Sequence, residues 1–191
     1  MTAATKDRGD PPTRRTARWV GIGVLVVAAG LIAVLATRPP AAVSEVQSPL
    51  LGKLTPSIMG ATVSGARYEL SRAPGRFIVV NFFASWCPPC QTEGPELVKF
   101  QFEHQASGDA TMVSVVFEDS LGAARTYQSQ LGATWPTLAD PGGSVALSFG
   151  VRAPPSTFVI APDGRVVRYL VAPVTAAGLD KVIAQARATG A

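Results

Sequence analysis

The sequence predicts an α/β domain with a mixed central sheet flanked by helices, preceded by an N-terminal transmembrane helix. Three observations lead to this prediction. Residues 19–37 form an apolar run without a charged side chain. After residue 76, β-branched and aromatic runs alternate with helical patterns in the order strand, helix, strand, helix, strand hairpin and helix. Two cysteines, Cys87 and Cys90, stand where the first of these strands gives way to a helix.

The apolar run is long enough to cross a membrane. As a helix, the nineteen residues 19–37 would span about 28 Å, close to the roughly 30 Å thickness of a hydrocarbon core. Arg14, Arg15 and Arg18 precede the run, and only Arg38 follows it. By the positive-inside rule we expect a single-pass membrane protein, with residues 1–18 as a cytoplasmic tail and the domain outside the cytoplasm.

Two other interpretations of this segment also place the domain outside the cytoplasm. A cleaved signal peptide could end at the small-residue sequence Val34-Leu35-Ala36, although its apolar region is usually only about 7–15 residues long. Arg14-Arg15 could belong to a twin-arginine export signal, but the residues that follow the pair give little support. The length of the run favours an uncleaved signal-anchor.

The excess of basic residues lies in the N-terminal tail and not in the domain. Residues 1–38 contain six of the 17 Lys and Arg residues and two of the 13 Asp and Glu residues. The rest of the chain therefore has eleven basic and eleven acidic residues. A nucleic-acid-binding domain needs a basic excess to neutralise phosphates, so this balance argues against nucleic acid as a partner. Residues 38–50 are small, polar and Pro-containing, which predicts an extended linker before a domain at 51–191.

The domain is expected to begin with a small hairpin within Thr62–Leu70. Phe77–Phe83 is nearly continuous in apolar character, which predicts a strand buried on both faces of the sheet. The other predicted elements are a helix from the cysteine motif to about Gln105, a strand at Thr111–Phe117, a helix from a Ser120 cap to about Leu131, a short helix at Ser144–Phe149, a hairpin of Ser156–Ile160 with Arg165–Val171, and a helix at Ala176–Ala188 capped by Thr175.

The cysteine pair is interpreted as reactive. On a helix, Cys87 and Cys90 would lie about 5–6 Å apart at Cβ, a gap that a disulfide can close. The closed loop is so short that the bond would add little stability. The positive end of a helix dipole lowers a cysteine pKa, so we predict that Cys87 is the attacking thiolate and Cys90 the resolving thiol.

Metal binding by the pair is not expected. Zinc needs four ligands, and the chain has no other cysteine. His104, the only histidine, lies roughly 21 Å further along the predicted helix and is expected on the surface. Covalent haem attachment would require histidine after Cys90, where this chain has Gln91. We therefore predict a site without a metal or another cofactor.

Two segments resemble a known family. The sequence VVNFFASWCPPCQTEGPEL, residues 79–97, resembles the signature of the membrane-anchored thioredoxin-like proteins of the TlpA/ResA/CcmG (DsbE) type. The later VRAPPSTFVIAPDG, residues 151–164, is similar to the stretch that carries their cis-proline. The resemblance covers roughly residues 50–188. It implies a thioredoxin-like fold and thiol-disulfide oxidoreductase activity.

The resemblance also assigns residues. Trp86 matches the aromatic residue before the first cysteine, and Pro155 matches the cis-proline that faces the disulfide. Pro88 and Pro89 fill the two positions between the thiols. General thioredoxins carry a buried aspartate six positions before the first cysteine, where this chain has Asn81. Glu93 matches a glutamate near the thiols in the ResA branch, although it could instead be an acid that only complements the helix dipole.

The implied function is reduction of exported client thiols. In this family the commonest task is reduction of apocytochrome c cysteines before haem attachment, with electrons from a membrane thiol carrier of the CcdA or DsbD type. An oxidant or general disulfide enzyme for exported proteins remains the alternative, because Pro88-Pro89 does not determine the direction. A copper metallochaperone is disfavoured because it needs a wider cysteine spacing and a distant histidine ligand.

Overall fold

The computed structural model describes residues 14–36, 44–70 and 75–190. Residues 1–13 of the predicted cytoplasmic tail and residues 37–43, which end the predicted anchor and begin the predicted linker, lie outside the described residues. Helix α1 spans Arg14–Ala36, and the side chains of residues 19–33 are exposed. Within the described residues, no helix combines the length and the apolarity that a membrane span requires.

The described residues from Ser44 onward form a mixed sheet, a small separate hairpin and four helices. In chain order the elements are β1 (Ser44–Glu45), β2 (Met59–Ala61), β3 (Arg67–Glu69), β4 (Phe77–Phe83), α2 (Pro88–Gln105), β5 (Ala110–Val116), α3 (Leu121–Leu131), β6 (Thr137–Leu138), α4 (Ser144–Phe149), β7 (Ser156–Ile160), β8 (Val166–Val171) and α5 (Ala176–Ala188).

The main sheet has the strand order β1-β8-β7-β4-β5-β6. Strand β4 pairs in parallel with β5 and antiparallel with β7, and β8 is antiparallel to both β7 and β1. Strands β2 and β3 form the separate hairpin. The predicted mixed sheet is therefore confirmed.

Both faces of β4 are covered, as the sequence of that strand predicts. Phe77 and Val79 pack in one apolar cluster with residues of α2 and α5. Ile78, Val80 and Phe82 point to the other face and pack in a second cluster that includes α4. Alternate residues of a strand face opposite sides, so helices on both faces bury every residue of β4. The helices thus flank the sheet.

The predicted helix caps are also present. The Ser120 side chain accepts a hydrogen bond from the Ala123 N–H at 3.2 Å, and that of Thr175 accepts one from the Gly178 N–H at 3.1 Å. Helix α3 ends at Gly132 in the left-handed region, with φ of 72°, which glycine adopts without steric cost. These local signals fix the starts of α3 and α5.

Three elements differ from the prediction. The hairpin predicted within Thr62–Leu70 begins earlier, because residues 62–66 form its turn instead of its first strand. Strand β6 was not expected. Strand β1 falls within the predicted linker 38–50 and pairs with the end of β8. Two-residue strands such as β1 and β6 are too short to show an alternating pattern, so only tertiary pairing identifies them.

Candidate active site

The cysteine pair lies between the end of β4 and the start of α2. Cys87 is the N-cap of α2, and its Sγ accepts a hydrogen bond from the Cys90 N–H at 3.2 Å. The two residues form a disulfide with their Cα atoms 5.3 Å apart. Pro88 and Pro89 occupy the first two positions of the helix, where a missing N–H removes no helical hydrogen bond. The sequence therefore places the sulfurs at the positive end of the helix dipole.

Both cysteines are covered in the disulfide form, whereas the residues around them are exposed. Cys87 is 3% exposed and Cys90 is 1% exposed. Pro88 and Pro89 are exposed, and Trp86 is 56% exposed. The apolar residues buried in the same cluster as the disulfide are Val63, Phe83, Ala84, Val116 and Ala124.

The loop between β5 and α3 holds the segment that precedes Cys87. The Trp86 Nε1–H donates to the Glu118 carbonyl at 3.1 Å, and the Ser85 N–H donates to Asp119 Oδ2 at 2.7 Å. Glu118 has φ of 45°, an uncommon conformation for a residue other than glycine. The sequence does not predict this support, because a backbone carbonyl acceptor has no side-chain signature.

Pro155 is placed beside the end of β4. The Pro154–Pro155 peptide bond is cis, which is the conformation that the resemblance implies. Pro155 is buried, and the next residue, Ser156, pairs with Phe82 in the antiparallel ladder between β7 and β4. The ladder brings this loop to the end of the sheet from which the cysteine motif emerges. The role of Pro155 in binding a client peptide stays a prediction.

Glu93 is buried in a polar network beneath the pair. It lies one helical turn beyond Cys90 and is 1% exposed. Its Oε1 accepts a hydrogen bond from Asn81 Nδ2 at 2.8 Å, and its Oε2 accepts one from the Val174 N–H at 3.0 Å. Asn81 Nδ2 also donates to Thr157 Oγ1 at 3.1 Å. Asn81 is the only polar residue of β4, and these two hydrogen bonds pair its buried side-chain amide group.

The environment of Glu93 changes its protonation. Burial raises the pKa of Glu93 to about 7, against the hydrogen bonds from Val174 and Asn81, which lower it. A carboxyl with this pKa can gain or lose a proton near neutral pH. An acid that only complements the helix dipole would lie in the first turn of the helix. Glu93 lies beyond the first turn of α2 and accepts hydrogen bonds from groups outside the helix.

His104 lies at the surface but is less exposed than the sequence predicts. His104 is on α2 as predicted, far from the cysteines, but its side chain is only 15% exposed. Its Nδ1 lies 2.7 Å from Asp109 Oδ1 and its Nε2 lies 2.8 Å from Asp180 Oδ1. Although burial lowers the pKa of His104, the two carboxylates outweigh burial and raise it. Among the described residues, no cluster of His, Cys, Asp and Glu could hold a metal ion.

An open groove of about 770 Å³ lies beside the motif. It contains the β5–α3 loop that holds Trp86, and it extends toward the residues just before the cis-proline. Leu147, on its wall, is 80% exposed. Other lining residues are Glu118, Asp119, Leu121, Val151 and Arg152. The groove offers both apolar surface and charged groups, and none of the residues that line it belongs to the cysteine motif.

Known proteins are similar to this chain in sequence and in fold. The family model described as Redoxin matches residues 50–183. The thiol:disulfide interchange protein DsbE homolog of Paracoccus denitrificans is 38% identical over 131 residues, which are 66% of this chain and 69% of that protein. The thiol-disulfide oxidoreductase ResA of Bacillus subtilis is 30% identical over 124 residues, which are 65% of this chain and 69% of that protein.

A solved structure is also similar to this chain. The crystal structure of a thiol:disulfide interchange protein of the thioredoxin family from Chlorobium tepidum superposes with a TM-score of 0.63 and 28% identity, over 74% of this chain and 99% of that one. The fold, the disulfide at the helix start and the similar proteins all indicate the same family. The chain belongs to the Redoxin family, among its thioredoxin-like proteins of the TlpA/ResA/CcmG type, and is a thiol-disulfide oxidoreductase.

Proposed function

We propose that this oxidoreductase works outside the cytoplasm as a reductant of client cysteines, with apocytochrome c as the client. The observation that carries the direction is the buried Glu93 carboxyl one turn beyond Cys90. A negative charge near the pair opposes thiolate formation at Cys87, and a moderately acidic thiol favours a reducing potential. The alternative, an oxidant or general disulfide enzyme for exported proteins, requires a strongly stabilised thiolate.

The chemistry follows from the order of the two thiols along α2. The Cys87 thiolate attacks one sulfur of the client disulfide, and the other client sulfur leaves as a thiolate that takes up a proton. The Cys90 thiol then loses its proton and attacks Cys87 Sγ, which closes the Cys87–Cys90 disulfide and releases the second client sulfur as a thiolate that takes up a proton. Two electrons pass to the client, and the two protons that it takes up balance the proton that Cys87 released to solvent when its thiolate formed and the proton that Cys90 releases. Glu93, with its pKa near 7, is suited to accept the Cys90 proton.

A client segment would bind across the motif. The exposed Trp86, Pro88 and Pro89 surround the disulfide, and the groove lined by the β5–α3 loop would extend this surface on the side of Trp86. The cis bond before Pro155 would turn the Pro154 carbonyl toward an extended peptide, to which neither proline can donate a hydrogen bond. Exposed apolar side chains around a covered disulfide suit contact with a protein client.

The proposed location in the cell membrane is inferred from the sequence. The run 19–37 would anchor the chain in the bacterial cell membrane, with residues 1–18 in the cytoplasm and the oxidoreductase domain outside. A membrane thiol carrier of the CcdA or DsbD type would then return electrons to the pair. A reductant outside the cytoplasm needs such a source, because its surroundings would otherwise keep it oxidised.

Trapping of the client tests the proposed function. Cys90→Ser should accumulate a mixed disulfide between Cys87 and an apocytochrome c that carries an intramolecular disulfide, because no resolving thiol remains. Cys87→Ser is the matched control and should trap none. Equal trapping by both variants would show that the attacking and resolving roles are wrongly assigned. Absence of apocytochrome c from the adducts of Cys90→Ser would reject the proposed client.

Topology needs its own experiment. A reporter fused after Ala191 that is active only outside the cytoplasm should give a signal, and the full-length protein should resist extraction from membranes by carbonate. A soluble, shortened species would instead identify the apolar run as a cleaved signal.

A further inference from the structure

Helix α3 contacts the backbone of α2 at the turn that carries Cys90. The Tyr127 hydroxyl donates a hydrogen bond to the Cys90 carbonyl at 3.0 Å. Gly94, one turn further along α2, makes room for this contact. A Cβ at Gly94 would lie 2.6 Å from the Tyr127 hydroxyl and 2.9 Å from a methyl group of Leu131. The absence of a side chain at Gly94 therefore lets the tyrosine reach the helix.

Tyr127 is itself held in place by the neighbouring core. Its ring lies against Phe83, the last residue of β4, with the ring centroids 5.6 Å apart. It also packs on the apolar cluster that contains both cysteines. Burial, and to a smaller extent the charge of Glu93, raise the pKa of Tyr127, so the hydroxyl remains a donor. The hydrogen bond thus links α2 to a fixed point outside that helix.

The importance of this link depends on the redox state. In the disulfide form the S–S bond already fixes Cys90 relative to Cys87. In the dithiol form that constraint is lost, and the start of α2 relies on its own hydrogen bonds. Pro95 weakens the helix at this point, because it has no N–H to donate to the Gln91 carbonyl. The hydrogen bond from Tyr127 therefore forms at a lower cost in conformational entropy in the disulfide form, where the Cys90 turn is already fixed, than in the dithiol form.

We propose that Tyr127 is a positioning residue for the thiol pair, and that its hydroxyl stabilises the disulfide form relative to the dithiol form. It holds the Cys90 turn against α3 after the disulfide opens, so that the second thiol stays next to the first, in position to close the bond again. Tyr127 contacts no reacting atom in this role and acts only through the Cys90 backbone.

Tyr127→Phe tests the proposal, because it removes the hydroxyl and keeps the ring on Phe83. The full-length variant, in mild detergent, is equilibrated with reduced and oxidised glutathione. Loss of a hydrogen bond of ordinary strength that acts mainly in the disulfide form should shift the equilibrium about threefold toward the dithiol. That change corresponds to a potential about 14 mV less negative. Tyr68→Phe, in the half-buried Tyr68 of the separate hairpin, is the matched control and should leave the equilibrium unchanged.

Denaturant unfolding of each redox form separates positioning from a general structural role. We expect Tyr127→Phe to lower the free energy of unfolding of the disulfide form more than that of the dithiol form. Equal losses in the two forms, with an unchanged glutathione equilibrium, would overturn the proposal. A shift toward the disulfide would also overturn it, since the hydroxyl would then favour the dithiol.

Discussion

Replacement of Glu93 by glutamine provides a quantitative test of the buried network. The pKa of Glu93 is about 7 in the folded protein, against 4.5 for an ordinary glutamate. The folded state therefore binds this proton more tightly than the unfolded chain. The stability that protonation supports is fully present below pH 4.5 and is lost as the pH rises through 7. With 1.36 kcal/mol for each pKa unit, the loss between pH 5 and pH 8.5 is about 2–3 kcal/mol.

Glutamine cannot titrate, so Glu93→Gln should lack this loss. It also has one acceptor oxygen for two donors, the Asn81 amide and the Val174 N–H, and an unpaired buried donor costs about 1–3 kcal/mol. The variant should therefore be less stable than the natural protein at pH 5, and the difference should shrink or reverse at pH 8.5. His104 also titrates in this range, but it is present in both proteins and cancels in the difference.

Urea unfolding of the oxidised full-length proteins at pH 5, 7 and 8.5 measures this difference. Stability curves that run parallel across the range would refute the raised pKa. For the reduced proteins, the rate of exchange with a small disulfide should lose a pH inflection near 7 in Glu93→Gln. An unchanged rate profile would limit Glu93 to a structural role.

Two other variants probe the same electrostatic reasoning. Asn81→Asp places a second carboxyl against Glu93, so urea unfolding should show a loss of about 2 kcal/mol or more at pH 8 and a smaller loss at pH 5. Equal losses at both pH values would contradict this. His104→Gln removes a group whose raised pKa adds stability that is present below pH 6.5 and is lost as the pH rises through the folded value. It should cost about 1–2 kcal/mol at pH 5.5 and much less at pH 8.5, and a loss independent of pH would contradict the ion pairs with Asp109 and Asp180.

Local signals explain what the sequence could predict. Strand β4 and the helix after it follow from a continuous apolar run and from prolines placed where a helix begins. The helix caps at Ser120 and Thr175 depend on side chains within a few residues. The pairing of Cys87 with Cys90 could be predicted for the same reason, because the two residues are only three positions apart.

Contacts between distant segments could not be predicted in this way. Glu93 accepts a hydrogen bond from Val174, 81 positions away, and the backbone donor there has no sequence signature. His104 could not be recognised as half-buried, because its partner Asp180 lies 76 positions further along the chain. The link from Tyr127 to Cys90 likewise depends on how α3 packs against α2. Each of these contacts arises from the tertiary arrangement around the sheet.

The redox potential of the Cys87–Cys90 pair decides whether the pair acts as a reductant. Equilibration of the full-length protein with glutathione buffers, followed by quantification of dithiol and disulfide, gives the potential. The helix dipole favours the Cys87 thiolate and the nearby Glu93 opposes it, so we expect a value closer to that of thioredoxin, about −270 mV, than to that of the periplasmic oxidant DsbA, about −120 mV. A potential near the oxidant value would contradict the proposed direction and favour an oxidant of exported proteins.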